Sequence, residues 1–250
     1  MTKEEIAKYI DHTLLAPQAG IREIILLCQE AKRYNFASVC VNPVYVSAAK
    51  DELAGSDVKI CTVVGFPLGA TTTKDKINEA LNAIENGADE IDMVINIGAA
   101  KDGRFSEVGT DIMGVVDACK EAGKAIGKNI IIKTILETCL LDDNAIVNCC
   151  LVAKKAGADF VKTSTGFATP KGLEGQQLPN GASEFHVRIM RQTVGFDMGV
   201  KASGGIRNAK TAIAMIEAGA NRIGTSSGVR IIEGWDENEP IRFPKKSDFQ

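Results

Sequence analysis

NGADEIDMVI (86–95), AGADFVKTST (156–165) and AGANRIGTSS (218–227) share one layout. Each puts a glycine, a small residue and Asp or Asn ahead of a short, largely apolar run. Glycine suits the left-handed position that closes a helix. Each stretch therefore reads as a helix end, a tight loop and a buried strand. Helical periodicity precedes all three. Ile77, Ala80, Leu81 and Ile84 fall on one face, as do Ile146, Cys149, Cys150 and Ala153, and Ala209, Ala212, Ile213 and Ile216. Ile21, Ile24, Ile25, Cys28 and Ala31 repeat the pattern earlier, while Asn42-Pro43 and Asn208 read as helix starts. Working outward gives eight strands, near 9–13, 37–41, 58–65, 90–95, 130–136, 159–164, 199–203 and 221–225. Several are continuous apolar runs, such as NIIIKTIL (129–136), which suit a parallel sheet buried on both faces.

Eight strand–helix units in 250 residues predict an α/β fold, a single (β/α)8 TIM barrel occupying 1–250. A doubly wound open sheet is the alternative, but no GxGxxG follows the first strand. Two stretches break the pattern. Residues 167–182 form a long Gly/Pro/Gln-rich loop after the sixth strand. The polar tail, 235–250, reads as a surface arm or a disordered segment.

Composition narrows the function. Hydrophobic residues make up 45% and charged residues 24%, as in an ordinary soluble protein, and the net charge of −3 gives no general nucleic-acid or membrane surface. The N-terminus lacks the apolar core of a signal peptide, and no apolar run is long enough to span a bilayer. The seven cysteines are odd in number and contain no CxxC, so they read as reduced and mostly buried in a cytoplasmic protein. His12 and His186, the only histidines, have no metal-ligand spacing.

The chemistry concentrates in five charged residues set in otherwise apolar or small runs: Asp11, Asp92, Lys133, Lys162 and Lys201. In a barrel, alternate strand residues point inward and the C-terminal strand ends carry the active site. One reading is a structural ion-pair plug. The other uses the excess lysine. Burial and a neighbouring ammonium both push a lysine below its reference pKa of about 10.4, which frees an amine to attack a carbonyl. Lys162 and Lys201 lie on consecutive strands, an arrangement that activates one of the pair, with the carboxylates moving protons. SGGIR (203–207) and GTSSG (224–228) follow the seventh and eighth strands. They read either as plain turns or as an anion site, with backbone N–H groups and a helix start at Ser226 or Ser227 facing a phosphate.

With DHTLL (11–15), FASVCVNP (36–43), CTVVGFPLGATTT (61–73), GADEIDMVINIG (87–98), ADFVKTSTGF (158–167), VKASGGIR (200–207) and GTSSGV (224–229) in hand, the chain resembles the deoxyribose-phosphate aldolases, class I (Schiff-base) aldolases, over nearly its whole length. The resemblance implies reversible cleavage of 2-deoxy-D-ribose 5-phosphate to acetaldehyde and D-glyceraldehyde 3-phosphate, in deoxyribose phosphate catabolism. It implies that Lys162 forms the Schiff base, that Lys201 is the second lysine, and that Asp92 donates and accepts protons, with Asp11 and Lys133 in support. Gly204, Gly205, Gly224, Ser226 and Ser227 match the phosphate-contacting loops, and Thr165 and Gly166 lie near the substrate. No cofactor and no metal are implied; a cytoplasmic homodimer is. Two departures stand out: the 167–182 loop is longer than the family's short glycine-rich link, and the tail has no tyrosine. Another Schiff-base barrel enzyme, or a non-catalytic barrel that binds a phosphorylated ligand, remains open.

Overall fold

Glycine and short polar side chains mark where the chain turns. Gly87 and Gly219 close their helices with φ of 117° and 116°, and Gly157 follows the end of a third helix at 83°. At the other ends, Thr72, Asp142, Ser183 and Asn208 cap helices, each accepting a backbone N–H three residues on, worth about 1 kcal/mol apiece. In the computed structural model, residues 1–172 and 174–249 are described. Leu173 of the expected loop and Gln250 of the expected tail lie outside the described residues.

The strands are β1 (Ile10–Leu14), β2 (Ser38–Val41), β3 (Lys59–Val64), β4 (Glu90–Val94), β5 (Ile131–Ile135), β6 (Phe160–Lys162), β7 (Gly199–Ser203) and β8 (Arg222–Thr225). All neighbours pair in parallel and β8 returns to β1, closing the barrel in sequence order. After a short α1 (Lys3–Ala7), the connecting helices are α2 (Ile21–Tyr34), α3 (Val46–Glu52), α4 (Thr73–Asn86), α5 (Ile97–Lys101), α6 (Phe105–Ala125), α7 (Asp143–Lys155), α8 (Glu184–Val194), α9 (Ala209–Ala218) and α10 (Gly228–Glu233). The (β/α)8 barrel is thus present, with all eight expected strands in place. Asn42 precedes a 3-10 turn, Pro43–Tyr45, before α3 begins. The expected face of α7 is fully buried. On α2, Leu27 joins Ile24, Cys28 and Ala31 in the core, while Ile21 stays exposed in the first turn.

Both irregular stretches make hydrogen bonds where described. The 167–182 loop contains a small hairpin, with Lys171 and Gln177 paired antiparallel and the Leu178 N–H on Pro170 O at 2.9 Å. The described residues of the tail run along the surface of the barrel. Trp235 is buried and donates through Nε1 to Met1 O at 2.9 Å, and the Arg242 N–H donates to Glu217 at 3.0 Å. Phe243 and Pro244 share a small cavity with Tyr9, Gly219 and Asn221, residues that precede β1 and β8. The arm therefore crosses the N-terminal end of the barrel, opposite the face where a barrel's chemistry sits.

Candidate active site

The barrel's register assembles the charged cluster. Lys162 lies opposite Lys201, Asp92 opposite Lys133, and Asp11 opposite Ser38 on one side and Gly224 on the other. At the bottom, Phe160 fills the interior because Gly199 leaves room: a Cβ there would overlap its ring. The Arg222 guanidinium caps that ring at 5.6 Å. Above it, Arg222 pairs with Asp11 and with Glu90, the latter at 3.0 Å. Lys133 meets Glu90 at 2.6 Å and Asp92 at 2.7 Å. Lys201 pairs with Asp11 and, at 2.8 Å, with Asp92 Oδ2, which Lys162 also reaches at 2.8 Å. Gly224 keeps this space open, since a Cβ would stand 2.9 Å from Lys201 Cε.

Burial alone would raise Asp92, but Lys133, Lys162 and Lys201 outweigh it and hold the carboxyl well below the usual range. Asp11 is likewise held down against burial, by Arg222, Lys201 and Lys133. Burial pulls Lys201 and Lys133 down, yet the surrounding carboxylates hold both above the usual lysine range. This corrects a simple expectation of burial: Lys201 and Lys133 are firmly charged because their carboxylates come with them.

The three lysines are not equivalent. Lys133 makes three ion pairs, Lys201 two and Lys162 one. Of the three, only Lys162 lines the open cavity above the cluster, about 520 Å³ in volume. Thr165, Gly204, Gly205, Gly224 and Ser226 line the same cavity. Gly166 and Ser227 flank lining residues without lining it themselves. The helix expected at Ser226 or Ser227 starts at Gly228, with Ser227 as its N-cap. Arg207, the last residue of SGGIR, adds a cation at this end, and Phe167 faces it.

Several functional neighbours escaped the sequence reading. Glu90 and Arg222 stand two residues before Asp92 and Gly224, so strand alternation puts them on the same inward face. Cys61 donates to Asp92 Oδ1 at 3.2 Å and accepts from Lys133 at 3.3 Å. Glu137 had no pattern to reveal it: a buried, left-handed residue (φ 58°) whose carboxylate accepts both the N–H and the hydroxyl of Thr165. Burial pushes its carboxyl up, against those two bonds. His12 is buried against Glu30 at 2.7 Å, outside this site.

Cys40, Cys61 and Asp92 bring two thiols and a carboxylate within 4.8 Å of one another. Three lysines already crowd that carboxylate, a charge environment that opposes a divalent cation. Among the described residues, no helix is long and apolar enough to cross a membrane.

The DeoC/LacD family aldolase model matches residues 5–234. The chain is similar to the deoxyribose-phosphate aldolase of Geobacillus sp. (strain WCH70), at 55% identity over 94% of this chain and 98% of the relative. It is similar to that of Clostridium tetani at 54% identity, over 92% and 98%. Among solved structures, a deoxyribose phosphate aldolase from Aeropyrum pernix, described as a unique tetramer, superposes with a TM-score of 0.80 at 35% identity, covering 93% of this chain and 91% of that one.

Proposed function

The chain belongs to the DeoC/LacD family of aldolases, and from that premise we propose which of its residues perform the chemistry. It catalyses the reversible retro-aldol cleavage of 2-deoxy-D-ribose 5-phosphate to D-glyceraldehyde 3-phosphate and acetaldehyde, making it a carbon–carbon lyase. In our reading Lys162 is the Schiff-base nucleophile, Lys201 and Asp92 complete the catalytic group, and Asp11 and Lys133 hold that group in place.

One observation carries the assignment: Lys162 is the lysine of the cluster that reaches the cavity. A count of charges supports it. Lys133, Lys162, Lys201 and Arg222 face Asp11, Glu90 and Asp92, four cations against three anions. The cluster becomes neutral when one amine is uncharged. A neutral Lys162 gives up one ion pair, where Lys201 would give up two and Lys133 three.

The reaction then runs as follows. The Lys162 amine adds to the C1 aldehyde of the open-chain sugar, and the carbinolamine loses water to give a protonated imine beside Asp92. Acetaldehyde keeps C1 and C2, so the bond that breaks is C2–C3. Its electrons flow into the imine to form an enamine, while the C3 hydroxyl gives up its proton and becomes the aldehyde of glyceraldehyde 3-phosphate. The enamine takes a proton at C2, and water releases acetaldehyde and Lys162. Asp92 accepts and returns protons in this scheme. While Lys162 is an uncharged carbinolamine, Asp92 has lost one of its three cations, which raises its proton affinity when a proton must move. Lys201 stays charged between Asp11 and Asp92 throughout.

The phosphate belongs at the other end of the cavity, with Gly204, Gly205, Ser226 and Arg207, beside Gly224 and Ser227; Thr165 and Gly166 adjoin the sugar. Ser226→Glu is expected to lower kcat/KM for the phosphorylated substrate by roughly 100-fold, from like-charge repulsion worth several kcal/mol. Cleavage of free 2-deoxyribose should change little. Equal losses on both substrates would remove the phosphate from this end.

The assignment of Lys162 is tested by borohydride reduction in the presence of acetaldehyde. An ethyl group fixed on Lys162 is expected by peptide mass mapping; an ethyl group on another lysine, or none, overturns it. We extend the proposal to one barrel domain over 1–250 acting as a cytoplasmic homodimer, on the strength of the family resemblance. Sedimentation equilibrium showing another stoichiometry would replace the dimer.

A further inference from the structure

The end of the 167–182 loop lies against the peptide that lines the phosphate end of the cavity. Asn180 Nδ2 donates to Ala168 O at 2.9 Å, closing the loop across its base. Two residues later the Ala182 N–H donates to both Ser203 O, at 3.0 Å, and Gly204 O, at 3.1 Å. Between them, Gly181 packs directly on Gly204. A Cβ on Gly181 would overlap the Gly204 carbonyl oxygen and stand 2.5 Å from its carbon. A Cβ on Gly204 would stand 2.9 Å from Gly181 Cα. Both obstacles are backbone, so neither yields by a rotamer change.

This contact fixes a direction. In a trans peptide the C=O of one residue and the N–H of the next point opposite ways. The Gly204 carbonyl is held toward Ala182, so the Gly205 N–H points away from the loop. Gly204 and Gly205 have φ of 87° and 80°, a left-handed pair that only glycine adopts freely. Gly205 lines the cavity, and among the described residues its N–H meets no acceptor. Ser203 Oγ, donating to Ser164 O at 2.6 Å, steadies the preceding residue from the β6 side.

We propose that Gly181 and Ala182 are positioning residues for substrate selection: they hold the Gly204–Gly205 peptide with its N–H turned toward the phosphate of the substrate. The long loop thereby serves as a brace for the anion end through its returning residues. The proposal rests on the phosphate position given above.

The experiment compares Gly181→Ala with the unmodified enzyme on 2-deoxyribose 5-phosphate and on free 2-deoxyribose, with inorganic phosphate as competitor. For Gly181→Ala, KM for the phosphorylated sugar should rise about 10-fold, the equivalent of one charge-assisted hydrogen bond lost. The inhibition constant for phosphate should rise in parallel, and kcat/KM for the free sugar should stay within about twofold. An unchanged preference, or equal losses on both sugars in a folded protein, would overturn the proposal. Ala182→Pro, which lacks the bridging N–H, gives a second variant with the same expected split should Gly181→Ala not fold. The underlying phosphate reading fails separately: the unmodified enzyme would then show neither preference for the phosphorylated sugar nor competition by phosphate.

Discussion

Lys162→Met is expected to abolish cleavage of 2-deoxyribose 5-phosphate, by roughly 10^5-fold or more, while leaving the protein folded. The loss is large because no other amine can take the position. Lys201 is tied to Asp11 and Asp92, and Lys133 to Glu90 and Asp92, and neither lines the cavity. Methionine is unbranched and only one heavy atom shorter, so it fills most of the lysine's place below the cavity. It also removes the surplus cation, leaving three cations for three anions. Asp92 still has Lys133 at 2.7 Å and Lys201 at 2.8 Å. Stability should therefore hold within about 1 kcal/mol of the parent, where losing one member of a compensated buried pair costs about 3–5 kcal/mol. Urea unfolding and single-turnover cleavage together check this. Activity within a factor of about 100 of the parent would show that the carbon–carbon bond breaks without this amine.

The contrast between Lys162 and its neighbours marks how far the sequence could be read. The three Gly-Ala-Asp/Asn stretches located three of the eight strands, those that carry Asp92, Lys162 and Gly224, because a glycine-capped helix end fixes where the next strand starts. Charged residues in apolar runs gave the five cluster members, and strand order gave the Lys162–Lys201 pairing. The roles within that pair were not legible from the residues alone. They depend on which carboxylates each amine meets, and those come from β1 and β4, far away in sequence. Glu90 and Arg222 were legible in principle, by alternation from Asp92 and Gly224, but each sits at a strand entrance where a charge reads as solvated. Glu137 was not: nothing local predicts that a glutamate after β5 turns left-handed to hold Thr165. The loop 167–182 reads as a departure from the family link, yet its last two residues, Gly181 and Ala182, meet Gly204 through their backbones. Such contacts leave no trace in the sequence beyond a glycine at 181.

Asp92→Asn should produce the second large effect, and here activity and stability fall together. Among the described residues Asp92 is the one carboxylate that touches all three lysines, so its replacement leaves four cations facing two anions. Removing one partner of a buried ion cluster costs about 3–5 kcal/mol. Loss of a positioned proton acceptor costs about 10^2- to 10^4-fold in turnover. The pH dependence has a defined sign. The folded protein holds Asp92 well below its ordinary value, so its contribution is fully present above the unfolded carboxylate pKa of about 3.9 and is lost as pH falls further, toward the folded value. The stability gap between parent and variant should therefore be constant near neutrality and narrow below about pH 4. The two losses can be separated with Asp92→Asn/Lys133→Met. That pair of changes leaves Lys162, Lys201 and Arg222 facing Asp11 and Glu90, again one cation in surplus, as in the parent. If Asp92 moves protons, the double variant regains much of the stability and little of the turnover. If turnover returns with stability, Asp92 serves only to balance charge, and the proton must move by another route.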